Sequence, residues 1–141
     1  HDAINYMRTR ADASNAIQTA FRHTAPGGVA LFCPDFTRES FVPGVETGGS
    51  DADGRALRYI EWTTDPDPND TEYVADMAYL LRDSDGTVKT ISERHRMGLF
   101  SRDEWLAMIK NAGYEPVAVN LCHSKCIDAG GELFAGIRPV N

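Results

Sequence analysis

The sequence predicts an α/β fold in which helices cover a mainly parallel sheet and an antiparallel sheet is inserted between its elements. Three observations predict it. A helical stripe ends at Pro26-Gly27-Gly28 and gives way to an unbroken apolar run, Val29-Ala30-Leu31-Phe32-Cys33; alternating strands fill residues 55–95; and a capped helix with two further strands closes the chain.

The first segment, His1 to Met7, carries apolar Ile4, Tyr6 and Met7. Thr9-Arg10-Ala11-Asp12 then offers a polar cap to a helix whose Ala16, Ile17, Ala20 and Phe21 form one apolar stripe. Gly27 and Gly28 are expected to stop it, since glycine accepts the backbone of a sharp helix-to-strand turn. The apolar run that follows predicts a strand covered on both faces, as in a parallel sheet. Ligands of such sheets sit beyond the carboxyl ends of strands, so Pro34-Asp35-Phe36 is expected to border a cleft.

Residues 37–55 hold Pro43, Gly44, Gly48, Gly49 and Gly54 among acidic residues and read as an irregular loop or lid. From Arg55 the texture alternates: Leu57, Tyr59 and Glu61 oppose Arg58, Ile60 and Trp62, and further strands run over 71–81 and 88–95. Asp65-Pro66-Asp67-Pro68-Asn69-Asp70 is a loop, and Asp83-Ser84-Asp85-Gly86 is a hairpin turn. Ser101-Arg102-Asp103-Glu104 is a capping box that starts a helix through Trp105, Leu106, Met108 and Ile109, with Gly113 as its stop. Strands over 116–121 and 132–137 complete the chain.

A length of 141 residues suits one modest domain with a real core. The formal charge of −7 disfavours a nucleic-acid partner, and Arg94-His95-Arg96 reads as a solvated strand face among acids. No apolar run approaches the roughly 20 residues of a membrane span, so a soluble cytoplasmic protein is expected. The odd number of cysteines, Cys33, Cys122 and Cys126, argues against a disulfide framework. Cys122-His123-Ser124-Lys125-Cys126 has metal-ligand chemistry but lacks a second pair to complete a tetrahedral set, so no metal is expected.

Together these segments carry a resemblance. Asp2-Ala3-Ile4-Asn5-Tyr6-Met7, the helix, and Arg22-His23-Thr24-Ala25-Pro26-Gly27-Gly28-Val29-Ala30-Leu31-Phe32 resemble the stretch from the end of the fourth strand through the fifth of class I, Rossmann-like S-adenosylmethionine-dependent methyltransferases. Glu93-Arg94-His95, Leu99-Phe100-Ser101, Ala112-Gly113-Tyr114 and Leu133-Phe134-Ala135-Gly136 resemble the back half of that family, especially its small-molecule branch of sugar N,N-dimethyltransferases. The resemblance implies an incomplete methyltransferase sheet: residues 1–36 as the end of the fourth strand, helix and fifth strand, 55–100 as an antiparallel insert, and 101–141 as helix and closing hairpin. The sequence has no G-x-G-x-G. The cofactor-gripping loop and first three strands would then lie upstream of His1, cut away by design or proteolysis, and the piece alone is expected to be inactive.

The resemblance further implies S-adenosyl-L-methionine as cofactor, with His1, Asn5 and Tyr6 near its methionine end. It also implies a small-molecule N or O acceptor. Asp35 and His95 are the candidate catalytic bases or orienters, and Phe36, Arg58, Trp62 and Glu93 the candidate acceptor contacts. Because neighbours on a strand point to opposite faces, only one alternating set from each inserted strand can line a pocket. A non-enzymatic α+β module that binds a small ligand, or that dimerises by strand pairing or exchange at an open edge, is the alternative.

Overall fold

The computed structural model describes residues 3–120 and 132–140. They divide into two compact units. Of these, the first comprises residues 3–41, 69–72, 97–120 and 132–140, and the second Val42–Pro68 and Tyr73–Arg96.

In the first unit a single 3-10 turn, Ala3–Tyr6, precedes helix α1, Arg10–His23. Thr9 caps α1, accepting from the Asp12 amide at 3.1 Å. The helix ends before the glycines expected to stop it. Thr24 is already extended, and Gly27, at φ 77°, instead shapes the turn that leads to strand β1, Val29–Phe32. Pro26 bars any continuation toward the glycines, since it has no N–H to donate to the Arg22 carbonyl and drives Ala25, before it, away from helical backbone. The Arg138 guanidinium donates to the carbonyls of Phe21 and Thr24 at 2.7 and 2.6 Å and lies over the Phe21 ring, placing a cation where the helix dipole is negative.

Strand β1 belongs to a three-stranded sheet. Its neighbour is strand β7, Glu132–Ile137, which in turn pairs with strand β6, Glu115–Asn120; both pairings are antiparallel. The expectation of a parallel strand covered on both faces is therefore corrected within this chain. Side chains alternate across the sheet, so Ala30, Phe32, Ala118 and Phe134 point into the core while Val29 and Leu31, 55% and 61% exposed, share the outer face with Val117, Val119 and Ile137.

Helix α2, Arg102–Asn111, opens with the capping box foreseen: Ser101 accepts from the Glu104 amide while Glu104 accepts from the Ser101 amide at 2.7 Å. Its apolar side buries Trp105, Met108 and Ile109 with Ala13, Ile17, Phe32, Phe100, Tyr114 and Phe134. Trp105 stacks on Phe134 and meets Phe100 edge-on. Each such large side chain removed from water contributes about 1.5–3 kcal/mol.

The second unit is a four-stranded sheet in the order β2-β3-β4-β5: Gly44–Ala52, Arg55–Thr64, Glu72–Arg82 and Val88–Gly98. Strand β2 corrects the reading of residues 37–55 as irregular. Asp53 and Gly54, at φ 52° and 75°, make a two-residue turn that folds β2 against β3 in register, Ala52 opposite Arg55. Gly48 and Gly49 serve close approach rather than looping. A Cβ on Gly48 would sit 2.6 Å from the Tyr59 ring, and one on Gly49 would sit 2.7 Å from Arg58 Cδ, so both partner side chains lie over β2 itself. The β4–β5 turn closes with the Asp83 amide donating to the Thr87 carbonyl, as the Asp-Ser-Asp-Gly run predicts.

Candidate functional site

Beyond the carboxyl end of β1 the chain turns at Pro34, and Asp35 meets the 3-10 turn. The Asn5 amide nitrogen donates to Asp35 Oδ2 at 2.5 Å, and Asn5 Oδ1 accepts from the Asp35 backbone amide at 3.2 Å. Asn5 is only 2% exposed. A buried amide must have its polar atoms satisfied, and Asp35 satisfies both ends. Asn5 therefore fixes Asp35 in position and orientation.

The loop that carries Asp35 is braced along its length. Thr37 accepts at its carbonyl from the Phe41 amide at 2.9 Å, its own amide donates to Ser40 Oγ, and Phe36 meets Phe41 edge-on at 5.3 Å. The Arg38 amide donates to the Phe100 carbonyl, its guanidinium to the Asp70 carbonyl, and it lies 3.9 Å from Glu104. Burial pushes the Glu104 carboxyl up, but the Ser101 amide and the ion pair with Arg10 outweigh it and hold the carboxyl below its ordinary 4.5.

The remaining candidates lie on the four-stranded sheet, and the register divides them between its faces. Val45, Trp62 and Asp76 stand opposite one another, and Arg94 grips Asp76 through two bonds of 2.6 and 3.0 Å. Arg58 and Trp62, four residues apart, therefore share a face with Arg94. Glu93 and His95, its immediate neighbours, point to the other face, where His95 Nε2 lies 3.2 Å from Glu93. Arg58 is further committed to Asp51 at 2.7 and 2.9 Å; the hydrogen bond from Arg58 leads the causes that hold the Asp51 carboxyl below its usual range.

The structure thus brings together Asn5 with Asp35, and Glu93 with His95. It separates Glu93 and His95 from Arg58 and Trp62. On the Glu93 face the register adds Glu46 opposite Glu61 opposite Met77, and Tyr59 opposite Tyr79. Strand alternation had grouped Tyr59 with Glu61, but only pairing across strands shows that Tyr79 joins them. Tyr6 is half-exposed at the end of its turn. His1 and Cys122-His123-Ser124-Lys125-Cys126 lie outside the described residues. Among the described residues no helix is long and apolar enough to cross a membrane.

No family model matches the chain. It is 30% identical over 137 residues to the dTDP-4-amino-2,3,4,6-tetradeoxy-D-glucose N,N-dimethyltransferase of Saccharopolyspora spinosa, covering 94% of this chain and 50% of that protein. The sugar N-methyltransferase KedS8 of Streptoalloteichus superposes with a TM-score of 0.79 at 23% identity, over 99% of this chain and 53% of that one. CalS10, an amino pentose methyltransferase of Micromonospora echinaspora solved with S-adenosylmethionine bound, superposes with a TM-score of 0.79 at 25% identity, over 98% and 55%. The chain spans about half the length of the relatives it matches, and over that half it is similar to methyltransferases in sequence and in its α/β fold.

Proposed function

We propose that this chain is the acceptor-side, C-terminal half of an S-adenosylmethionine-dependent methyltransferase that methylates a small-molecule amine or hydroxyl, an amino sugar first among them. The observation that carries the reading is a match along nearly the whole chain, in sequence to a sugar N,N-dimethyltransferase and in fold to a sugar N-methyltransferase.

The residues here fit one end of such a cofactor. Tyr6, half-exposed and next to Asn5 in the chain, suits the methionine end, whereas Asn5 is taken out of cofactor contact because its amide is spent on Asp35. The sequence holds no G-x-G-x-G turn for the nucleoside end, which supports the expectation that the piece alone is inactive. When bound, S-adenosylmethionine supplies an electrophilic methyl group for in-line displacement, a reaction that depends mainly on alignment. This chain's part is to hold the acceptor and take its proton.

Asp35 is the proposed proton acceptor or orienter, held at a fixed angle by Asn5. His95, bonded to Glu93, is the second proposed base. Glu61 and Glu93 are proposed to attract a protonated amine, and Phe36 to line the acceptor's path. Arg58 and Trp62 are withdrawn from this role because they share the opposite face of the sheet. The reading also keeps the protein cytoplasmic and without a nucleic-acid partner.

The test is methyl transfer and calorimetry on the protein at its natural length and on this 141-residue piece. The full protein should bind S-adenosylmethionine and methylate a 4-amino sugar nucleotide. The piece should bind the cofactor at least about a hundredfold more weakly, a deficit of about 2.7 kcal/mol. Equal affinity would show that the cofactor site has been misplaced.

A further inference from the structure

Helix α2 begins at Arg102, whose backbone amide is one of the donors that a helix leaves without an intrahelical partner. Ser101 Oγ takes the Glu104 amide, and the Ser101 carbonyl takes the Trp105 amide. The Arg102 amide goes instead to a residue 63 positions away: it donates to both carboxylate oxygens of Glu39, at 3.0 and 3.2 Å. We propose that Glu39 is a positioning residue, latching the loop that carries Asp35 and Phe36 to the start of α2.

The bond is to backbone, not to a cationic side chain. The Arg102 guanidinium is bonded to Glu132 at 2.7 Å, so pairing of the Arg102 and Glu39 side chains is not what holds Glu39. What favours a carboxylate there is the open N–H together with the positive end of the helix dipole. Glu39 is exposed, so burial does not force its carboxylate onto this amide.

A second anchor lies beside the latch. The Arg38 amide donates to the Phe100 carbonyl at 3.1 Å, so two consecutive loop residues are tied to the residues on either side of Ser101. At the other end of the loop Asn5 holds Asp35, and Thr37, 2% exposed, lies between. Pinned at both ends, the segment presents Asp35 and Phe36 in one geometry, and in an aligned transfer a misplacement of about 1 Å costs on the order of a hundredfold in rate. That consequence rests on the methyltransferase reading; the latch itself does not.

Hydrogen exchange on the protein at its natural length tests the latch. Arg102→Pro deletes the amide but suits the helix: proline is favoured at the first helical position, and Ser101, at φ −70° and ψ 161°, already has the extended backbone that a following proline requires. Arg102→Pro and Glu39→Ala should each speed exchange at the Arg38 and Phe41 amides at least about fivefold, and the double variant should be no faster than either alone. Arg102→Ala, which keeps the amide, should leave those rates at the wild-type value. Unchanged rates in both single variants, additive effects in the double variant, or equal acceleration by Arg102→Ala would overturn the latch. In methyl transfer, Glu39→Ala should raise the acceptor KM at least about threefold with S-adenosylmethionine affinity unchanged, and an unchanged KM would overturn the positioning role. A wild-type protein that transfers no methyl group would instead overturn the methyltransferase reading, and exchange would still decide the latch.

Discussion

Asn5 holds Asp35 at two points, donating to its carboxylate at 2.5 Å and accepting from its backbone amide at 3.2 Å. The two residues are 30 positions apart in the chain, and the pair ties the turn before α1 to the loop after β1.

Asn5→Ala should cost about 1.5–3 kcal/mol in urea unfolding, because it leaves the buried backbone of the loop without its acceptor and a carboxylate without its donor. Asn5→Asp should cost more, since it sets two carboxylates together. An unchanged midpoint for both would show that the pair contributes nothing to folding.

The two glycines of β2 should respond unequally to alanine. A Cβ on Gly48 meets only the outer end of the Tyr59 ring, which can swing aside, so Gly48→Ala should cost less than about 1 kcal/mol. A Cβ on Gly49 meets the Leu57 carbonyl oxygen, part of the β3 backbone, and Gly49→Ala should cost about 1–3 kcal/mol. Comparing the two unfolding midpoints checks the order, and a larger loss for Gly48 contradicts the proposed register.

Glu104 gives stability a dependence on acid. Its folded-state carboxyl lies below 4.5, so its contribution is present above that pH and is lost as pH falls through the folded value. Glu104→Gln should therefore destabilise the protein near neutrality and converge with wild type in acid. Parallel melting-temperature curves from pH 7 down to about pH 3 would count against this.

Much of the fold was legible in the sequence because it is written in local chemistry. Ser101-Arg102-Asp103-Glu104 states its own cap, and Asp83-Ser84-Asp85-Gly86 its own turn. Leu57 to Trp62 alternates, so the sequence could say that Arg58 and Trp62 share one face and Tyr59 and Glu61 the other. Strand β2 was missed because Gly48 and Gly49 look like a loop when nothing shows the side chains that cover them. The Asp53-Gly54 turn was the signal that could have found it.

The candidate site was less legible. The sequence could nominate Asn5 and Asp35 but gave them separate roles, because nothing local joins a turn before a helix to a loop after a strand.

By itself, then, the sequence determined where α2 is capped, where the β4–β5 turn lies and which residues of β3 share a face, since these follow from neighbours a few residues apart. Tertiary structure alone decided that β1 runs antiparallel to β7 with Val29 and Leu31 outward, that Asn5 spends its amide on Asp35, and that Arg58 and Trp62 stand back to back with Glu93 and His95. Each of these depends on which strand or loop lies beside which. Pairing across the chain sets that, through hydrogen bonds and packing that no single segment contains.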